Sequence, residues 1–148
     1  MGTYVNPGTE RFRISRNSRF YVDKSMIISL LNDKVESDDR FLCVSRPRRF
    51  GKTMAANMIA AYYSKGCDSH EVFSSLKISK DPTFEENINR YTVIKLDMND
   101  VVTNKGKLSV SEYIDEKVIS ELRKEYPSVT LKDGISLKGH YGDIFLYR

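Results

Sequence analysis

Phe41-Leu42-Cys43-Val44-Ser45-Arg46-Pro47-Arg48-Arg49-Phe50-Gly51-Lys52-Thr53 is the stretch on which the reading of this chain turns. Its first five residues form a short, nearly continuous apolar run, the pattern of a strand buried on both faces of a parallel sheet. An Arg/Pro/Gly loop follows. From Lys52 to Ser64, residues Met54, Ala55, Met58, Ile59, Tyr62 and Tyr63 recur at helical spacing. Gly66 sits where a C-terminal glycine cap belongs. Strand, loop and helix in this order are what a phosphate-binding loop requires.

The standard phosphate-loop pattern is G-x-x-x-x-G-K-[ST]. Gly51, Lys52 and Thr53 fit it, whereas Arg46 replaces the first glycine. The physics depends less on that glycine than on backbone N–H groups converging on phosphate oxygens at a helix start. Those donors are expected from Arg49, Phe50, Gly51, Lys52 and Thr53, with Met54 completing the binding stretch. Pro47 has no N–H but lies early enough to spare the cradle. Gly51 admits torsions and close approach that a side chain blocks. Lys52 sets an ammonium against the outer phosphates and is the candidate catalytic residue; the Thr53 hydroxyl can join the coordination of Mg²⁺. The expected ligand is ATP with Mg²⁺.

Outward from this stretch, Arg11-Phe12-Arg13-Ile14-Ser15 alternates charged and apolar residues as a short edge strand does. Asp23 can cap a helix with Met26, Ile27, Leu30 and Leu31 on one face, ending at Asn32 and Asp33. A short helix or turn covers Ser69 to Phe73. Tyr91 to Asp97 reads as the next strand, followed by a loop from Asn99 to Lys107. Ser109 and Glu112 form a capping-box pattern ahead of a helix carrying Val110, Tyr113, Ile114, Val118, Ile119 and Leu122, stopped by Pro127. Residues 128–148 form an irregular tail ending in Ile144-Phe145-Leu146-Tyr147 ahead of Arg148. The alternation of strands and helices predicts an α/β domain of the three-layer P-loop type with a mainly parallel sheet.

The chain has 148 residues, 40% hydrophobic and 30% charged, the composition of one globular domain or a large piece of one. It shows neither an apolar run of membrane-spanning length nor the apolar core of a signal peptide. Gly2 follows Met1, but Asn6 stands where a myristoylation signal has Ser or Thr. A cytoplasmic chain is expected. Cys43, inside the apolar run, reads as a small buried thiol, and Cys67 as a loop residue. The net charge of +4 is modest, yet Arg11, Arg13, Arg16, Arg19 and Lys24 crowd the start and Arg46, Arg48, Arg49 and Lys52 the loop. Such clustering fits a polyanionic ligand, nucleotide or nucleic acid; solvated surface arginines are the better account of the first cluster.

Arg46 to Thr53 resembles the RPRRFGK[ST] loop of the predicted AAA-ATPase-like family of P-loop proteins. Tyr21-Val22-Asp23-Lys24-Ser25 is similar to that family's upstream YVDK[ST] segment, and Val72-Phe73-Ser74-Ser75-Leu76-Lys77-Ile78 to its downstream F-x-x-L-x-I segment. The resemblance covers about residues 20–126 and includes an arginine in place of the first glycine. It implies a P-loop ATPase of the additional-strand type, often joined to a nuclease-like PD-(D/E)XK domain, with Asp23 and Lys24 near the nucleotide's base. It also implies an acidic Asp-Glu strand that does not occur here. Asp97 ends an apolar-rich strand but is followed by Met98, so it reads as an internal strand end. The expectation is the N-terminal part of an ATPase domain, truncated before its Walker B strand, that binds nucleotide with hydrolysis in doubt.

Cys67 and His70 are two ligands without a second pair and make no zinc site. His140 completes the histidines, and neither has a catalytic partner set. Asp38-Asp39 and Glu85-Glu86 read as solvated loops or helix starts, and Tyr62 and Tyr63 as core rather than a base-stacking platform. The alternative to nucleotide binding is a nucleic-acid module using the basic loop and the N-terminal arginines, with steep salt dependence.

Overall fold

The structure, a computed structural model, describes residues 2–45, 47, 49–128 and 145–147. Helices dominate: α1 (Glu10–Arg16), α2 (Ile27–Asn32), α3 (Lys52–Tyr63), α4 (His70–Phe73), α5 (Phe84–Asn87), α6 (Met98–Asn104) and α7 (Val110–Glu125). Two strands of three residues, β1 (Thr92–Ile94) and β2 (Phe145–Tyr147), pair antiparallel with Val93 opposite Leu146. An isolated antiparallel bridge joins Val5 to Ile94, and a parallel one joins Ser64 to Tyr91. The expected three-layer P-loop domain with a mainly parallel sheet is therefore corrected: among the described residues the one sheet is this antiparallel pair.

Two cores organise the helices. Phe12 of α1 stacks on Phe73 of α4 at 5.1 Å, and Tyr62 meets Phe73 edge-on at 5.5 Å and Phe84 at 5.6 Å. Ile28, Met58, Tyr63, Ile78 and Val93 close this core. Tyr62 and Tyr63 are wholly buried, as their helical spacing required. Their hydroxyls are satisfied: Tyr62 donates to the Phe84 carbonyl at 2.8 Å and Tyr63 to Asn32 Oδ1 at 2.6 Å. Burial pushes the Tyr62 phenol up to about 12. A second core joins Tyr4 and Val5 to Val101 of α6 and to Tyr113, Ile114 and Val118 of α7.

Several local expectations hold. Helix α3 starts at Lys52, α2 ends at Asn32 with Asp33 as its C-cap, and Gly66 is left-handed at φ 79°, two residues beyond the α3 cap Ser64. The capping box is complete: Glu112 N–H donates to Ser109 Oγ at 3.3 Å, and Ser109 N–H to Glu112 Oε2 at 2.9 Å.

Others are overturned. Residues 11–15 lie in α1, because a helix buries Phe12 alone and leaves Ile14 66% exposed, whereas a strand puts both on one face. Helix α2 begins after Met26 and buries Ile28; Met26 and Leu30, expected on its inner face, are exposed. The strand expected over residues 91–97 shrinks to β1, and Asp97 instead caps α6 by accepting the Asn99 N–H at 3.0 Å. Helix α6 occupies what read as loop. Most consequential, Phe41 to Ser45 form no strand and are exposed, and Cys43 is an exposed free thiol. A strand persists only where neighbours bond its backbone, and no described strand flanks this segment. The tail apart from Ser128 and β2, with His140 in it, lies outside the described residues.

Candidate functional site

Helix α3 is anchored at its far end, where Met58, Ala60, Ala61, Tyr62 and Tyr63 are buried, and open at its near end. Arg49 (φ 69°) and Gly51 (φ 80°) are both left-handed, so the chain turns sharply into the helix. Gly51 is the N-cap residue, and its carbonyl accepts the Ala55 N–H at 2.9 Å. A Cβ on Gly51 would meet Lys24 Nζ at 3.7 Å, an ordinary contact, so the glycine is required by its torsion and not by crowding. Lys52 and Thr53 are exposed, Met54 and Ala55 half-buried, and the first turn contains no acidic residue.

Lys24 closes the site from the upstream segment by donating from Nζ to the Phe50 carbonyl at 3.2 Å. It is held there by its neighbours. Asp23 accepts the Ser25 N–H at 2.8 Å and the Lys77 N–H at 2.9 Å, and the Ser25 hydroxyl accepts the Ile78 N–H at 3.2 Å. Burial opposes ionisation of Asp23, but these bonds outweigh it and hold the carboxyl below its usual range. The segment Tyr21–Ser25 is thus clamped to the turn Lys77–Lys80 while its lysine reaches the loop. Sequence reasoning placed Lys24 in a basic cluster and near a base; the fold gives it the Phe50 carbonyl.

The geometry corrects the functional expectation. The loop supplies a left-handed turn and a helix start, but the strand that backs a phosphate loop is missing from Phe41 to Ser45. No strand–loop–helix unit is present among the described residues, so nucleotide binding through a P-loop, with the ATPase and hydrolase activities read from it, is withdrawn. Arg13 pairs with Glu10 at 3.3 Å and Arg16 donates to Ser75 Oγ at 2.6 Å, so two of the N-terminal arginines are engaged locally.

A profile of predicted AAA-ATPases (AAA-ATPase-like) matches residues 7–143. The chain belongs to that family. Neither a curated protein nor a solved structure matches it. In this member of the family, then, the three segments that carry the resemblance converge physically: Lys24 on Phe50, Asp23 on Lys77 and Ser25 on Ile78. Convergence of the segments survives although the sheet expected around them does not.

Elsewhere, a polar cleft of about 130 Å³ is lined by Thr3, Tyr4, Arg11, Lys95, Asp97 and Asp100. Lys95 is nearly buried and donates to Asn57 Oδ1 at 2.5 Å. Burial, then Arg11, lowers the pKa of its ammonium against the opposing pull of Asp97. Nothing in the sequence flagged this lysine, which continues the β1 pattern. Cys67 and His70 have other partners: Cys67 Sγ donates to the Ser64 carbonyl at 3.3 Å, and His70 sits between Asp68 and Glu85. Among the described residues no helix is long and apolar enough to cross a membrane.

Proposed function

We propose that the head of α3 receives a phosphate-bearing anion, held by a helix start and its cations without a strand behind it. The observation that carries this reading is Lys24 donating to the Phe50 carbonyl at 3.2 Å, which adds its charge to those of Arg49 and Lys52 around a first turn free of acids. The first N–H groups of a 12-residue helix have no partners within it, and its dipole favours an anion there. Arg49, Phe50, Gly51, Lys52, Thr53 and Met54 surround the proposed position. The family's description as predicted AAA-ATPases makes ATP the ligand to test. Mg²⁺ would arrive on its phosphate oxygens, with the Thr53 hydroxyl as this site's own ligand, since no group of three or more potential metal ligands occurs among the described residues. The proposal concerns binding and includes no hydrolysis.

Calorimetric titration with Mg²⁺-ATP and with tripolyphosphate tests it, beside Lys24→Ala and Lys52→Ala. Each ammonium–phosphate contact is worth about 1.5–3 kcal/mol, so each variant is expected to bind on the order of tenfold more weakly or worse. Absence of binding at millimolar ligand by folded protein, or wild-type affinity in both variants, refutes the site.

A further inference from the structure

We infer that the polar cleft between α1, the N-terminal segment and the chain after β1 binds a small α-amino acid as its zwitterion, with the carboxylate between Arg11 and Lys95 and the ammonium on Asp97. The backbone builds the cleft simply. Lys95 prolongs the line of β1, and its N–H donates to the Tyr4 carbonyl at 2.8 Å. Asp97 is still extended, at φ −102° and ψ 106°. Residues two apart on an extended chain project from one face, so Lys95 and Asp97 line the cleft together. Arg11 reaches in from α1. The volume of about 130 Å³ is close to that of an apolar cavity that takes benzene, room for about six heavy atoms, the size of alanine.

Which groups are already engaged selects the ligand. Asp100 is committed: its Oδ2 accepts the Tyr4 hydroxyl at 2.9 Å and its Oδ1 the Asn104 amide at 2.8 Å. Lys95 is only 8% exposed, yet of its ammonium's three N–H groups one goes to Asn57, and it forms no ion pair with a described residue. The Arg11 guanidinium has neither a hydrogen bond nor an ion pair among the described residues. Asp97 spends Oδ1 on the Asn99 N–H, and its Oδ2 takes no bond from a described residue. Two cations without a counter-ion call for an anion, and a guanidinium beside an ammonium suits a carboxylate. The open oxygen of Asp97 calls for a donor, which an α-ammonium supplies. Arg11 and Lys95 balance Asp97 and Asp100 in charge, so a zwitterion keeps the cleft neutral, whereas a phosphate dianion adds charge beside two carboxylates. Burial and Arg11 both work against the Lys95 ammonium, and a carboxylate set between the two cations relieves that repulsion.

NMR titration of the full chain, following the backbone amides of Tyr4, Lys95 and Asp97, tests the inference with L-alanine and with propionate, which lacks the ammonium. The wild type is expected to saturate at millimolar L-alanine and to bind propionate at least tenfold more weakly. Asp97→Asn keeps a side chain able to cap α6 but removes the charge. It should weaken L-alanine at least tenfold, down to the level of propionate, without weakening propionate itself. Arg11→Gln, at an exposed position of α1, should weaken both ligands at least tenfold. Failure of folded wild type to saturate at millimolar L-alanine overturns the inference. So does propionate binding as tightly as L-alanine, which makes the cleft a plain anion site, or wild-type affinity for L-alanine in Asp97→Asn.

Discussion

Lys24 Nζ lies 3.2 Å from the carbonyl oxygen of Phe50, across 26 residues of sequence, and joins the two basic segments on which the reading of this protein rests. The bond is exposed, and its importance is electrostatic rather than structural. Lys24→Met is expected to change unfolding free energy by no more than about 0.5 kcal/mol, as for an ordinary surface substitution. The same variant should bind tripolyphosphate about tenfold more weakly. A stability loss well above that bound, with affinity intact, would make Lys24 a strut and remove it from the anion site.

Gly51→Ala separates torsion from contact. The new Cβ would meet Lys24 Nζ at an unstrained 3.7 Å, so crowding contributes nothing. A left-handed alanine at φ 80° costs about 1–2 kcal/mol. Urea denaturation should show that loss with an unchanged slope. A neutral result means that the loop does not need its left-handed entry to α3.

How far the sequence disclosed this fold depends on whether a signal was local. The capping box at Ser109 and Glu112, the start of α3 and the burial of Tyr62 and Tyr63 follow from spacing and capping chemistry within a few residues, and all are present. Phe41 to Ser45 read as a buried strand because the composition is right for one, but a strand is a relation between segments, and composition does not supply the neighbour. Residues 11–15 failed for a related reason: two alternations fit a strand, yet one aromatic against Phe73 decides for a helix. At the candidate site the glycine turn into α3 was legible from the pattern. The position of Lys24 was not, because it depends on Asp23 and Ser25 bonding a turn more than fifty residues later.

Asn89 shows the same limit and yields a stability prediction. At φ 56° it occupies a left-handed position that asparagine tolerates. Its Oδ1 accepts the Ser69 N–H at 2.9 Å, and its Nδ2 donates to the Ser64 carbonyl at 2.8 Å and Ser69 Oγ at 2.9 Å. Asn89→Asp keeps size and torsion but removes the donor and turns a carboxylate toward a carbonyl. We expect a loss of about 2–4 kcal/mol in chemical denaturation. A loss below 1 kcal/mol, on the order of a single replaceable bond, would show that water takes over the amide's role.

Glu121 fixes the N-terminal segment. Its carboxylate accepts N–H bonds from Thr3 at 2.9 Å, Tyr4 at 2.8 Å and Val5 at 2.8 Å. A Cβ on Gly2 would fall 2.0 Å from Glu121 Oε2, and that oxygen is committed to two of these bonds and cannot move freely. Glu121→Ala should destabilise the protein by about 2 kcal/mol and raise amide exchange at Tyr4 and Val5 before the rest of the second core opens. Gly2→Ala should reproduce the exchange effect in weaker form. Unchanged protection at Tyr4 and Val5 in both variants would place the anchor elsewhere.

His70 sets a pH dependence whose sign follows from its neighbours. Its Nδ1 lies 2.8 Å from Asp68 Oδ1 and its Nε2 3.2 Å from Glu85 Oε2. The hydrogen bond to Asp68 raises the imidazolium pKa, burial works slightly against it, and Glu85 adds to the rise. The folded state therefore holds this proton more tightly than the unfolded chain, whose histidine titrates near pH 6.5. The stabilisation is complete below that pH and is lost as pH rises through the higher folded-state value. Because the side chain is half exposed, solvent screening limits it to about 0.5 kcal/mol. The stability difference between wild type and His70→Gln, measured from about pH 5.5 to 8.5, should be largest at the acid end and shrink toward the alkaline end. His140, present in both proteins, cancels in that difference. A difference that stays flat, or grows with pH, would mean that the imidazole is held neutral and that the two carboxylates do not share its charge.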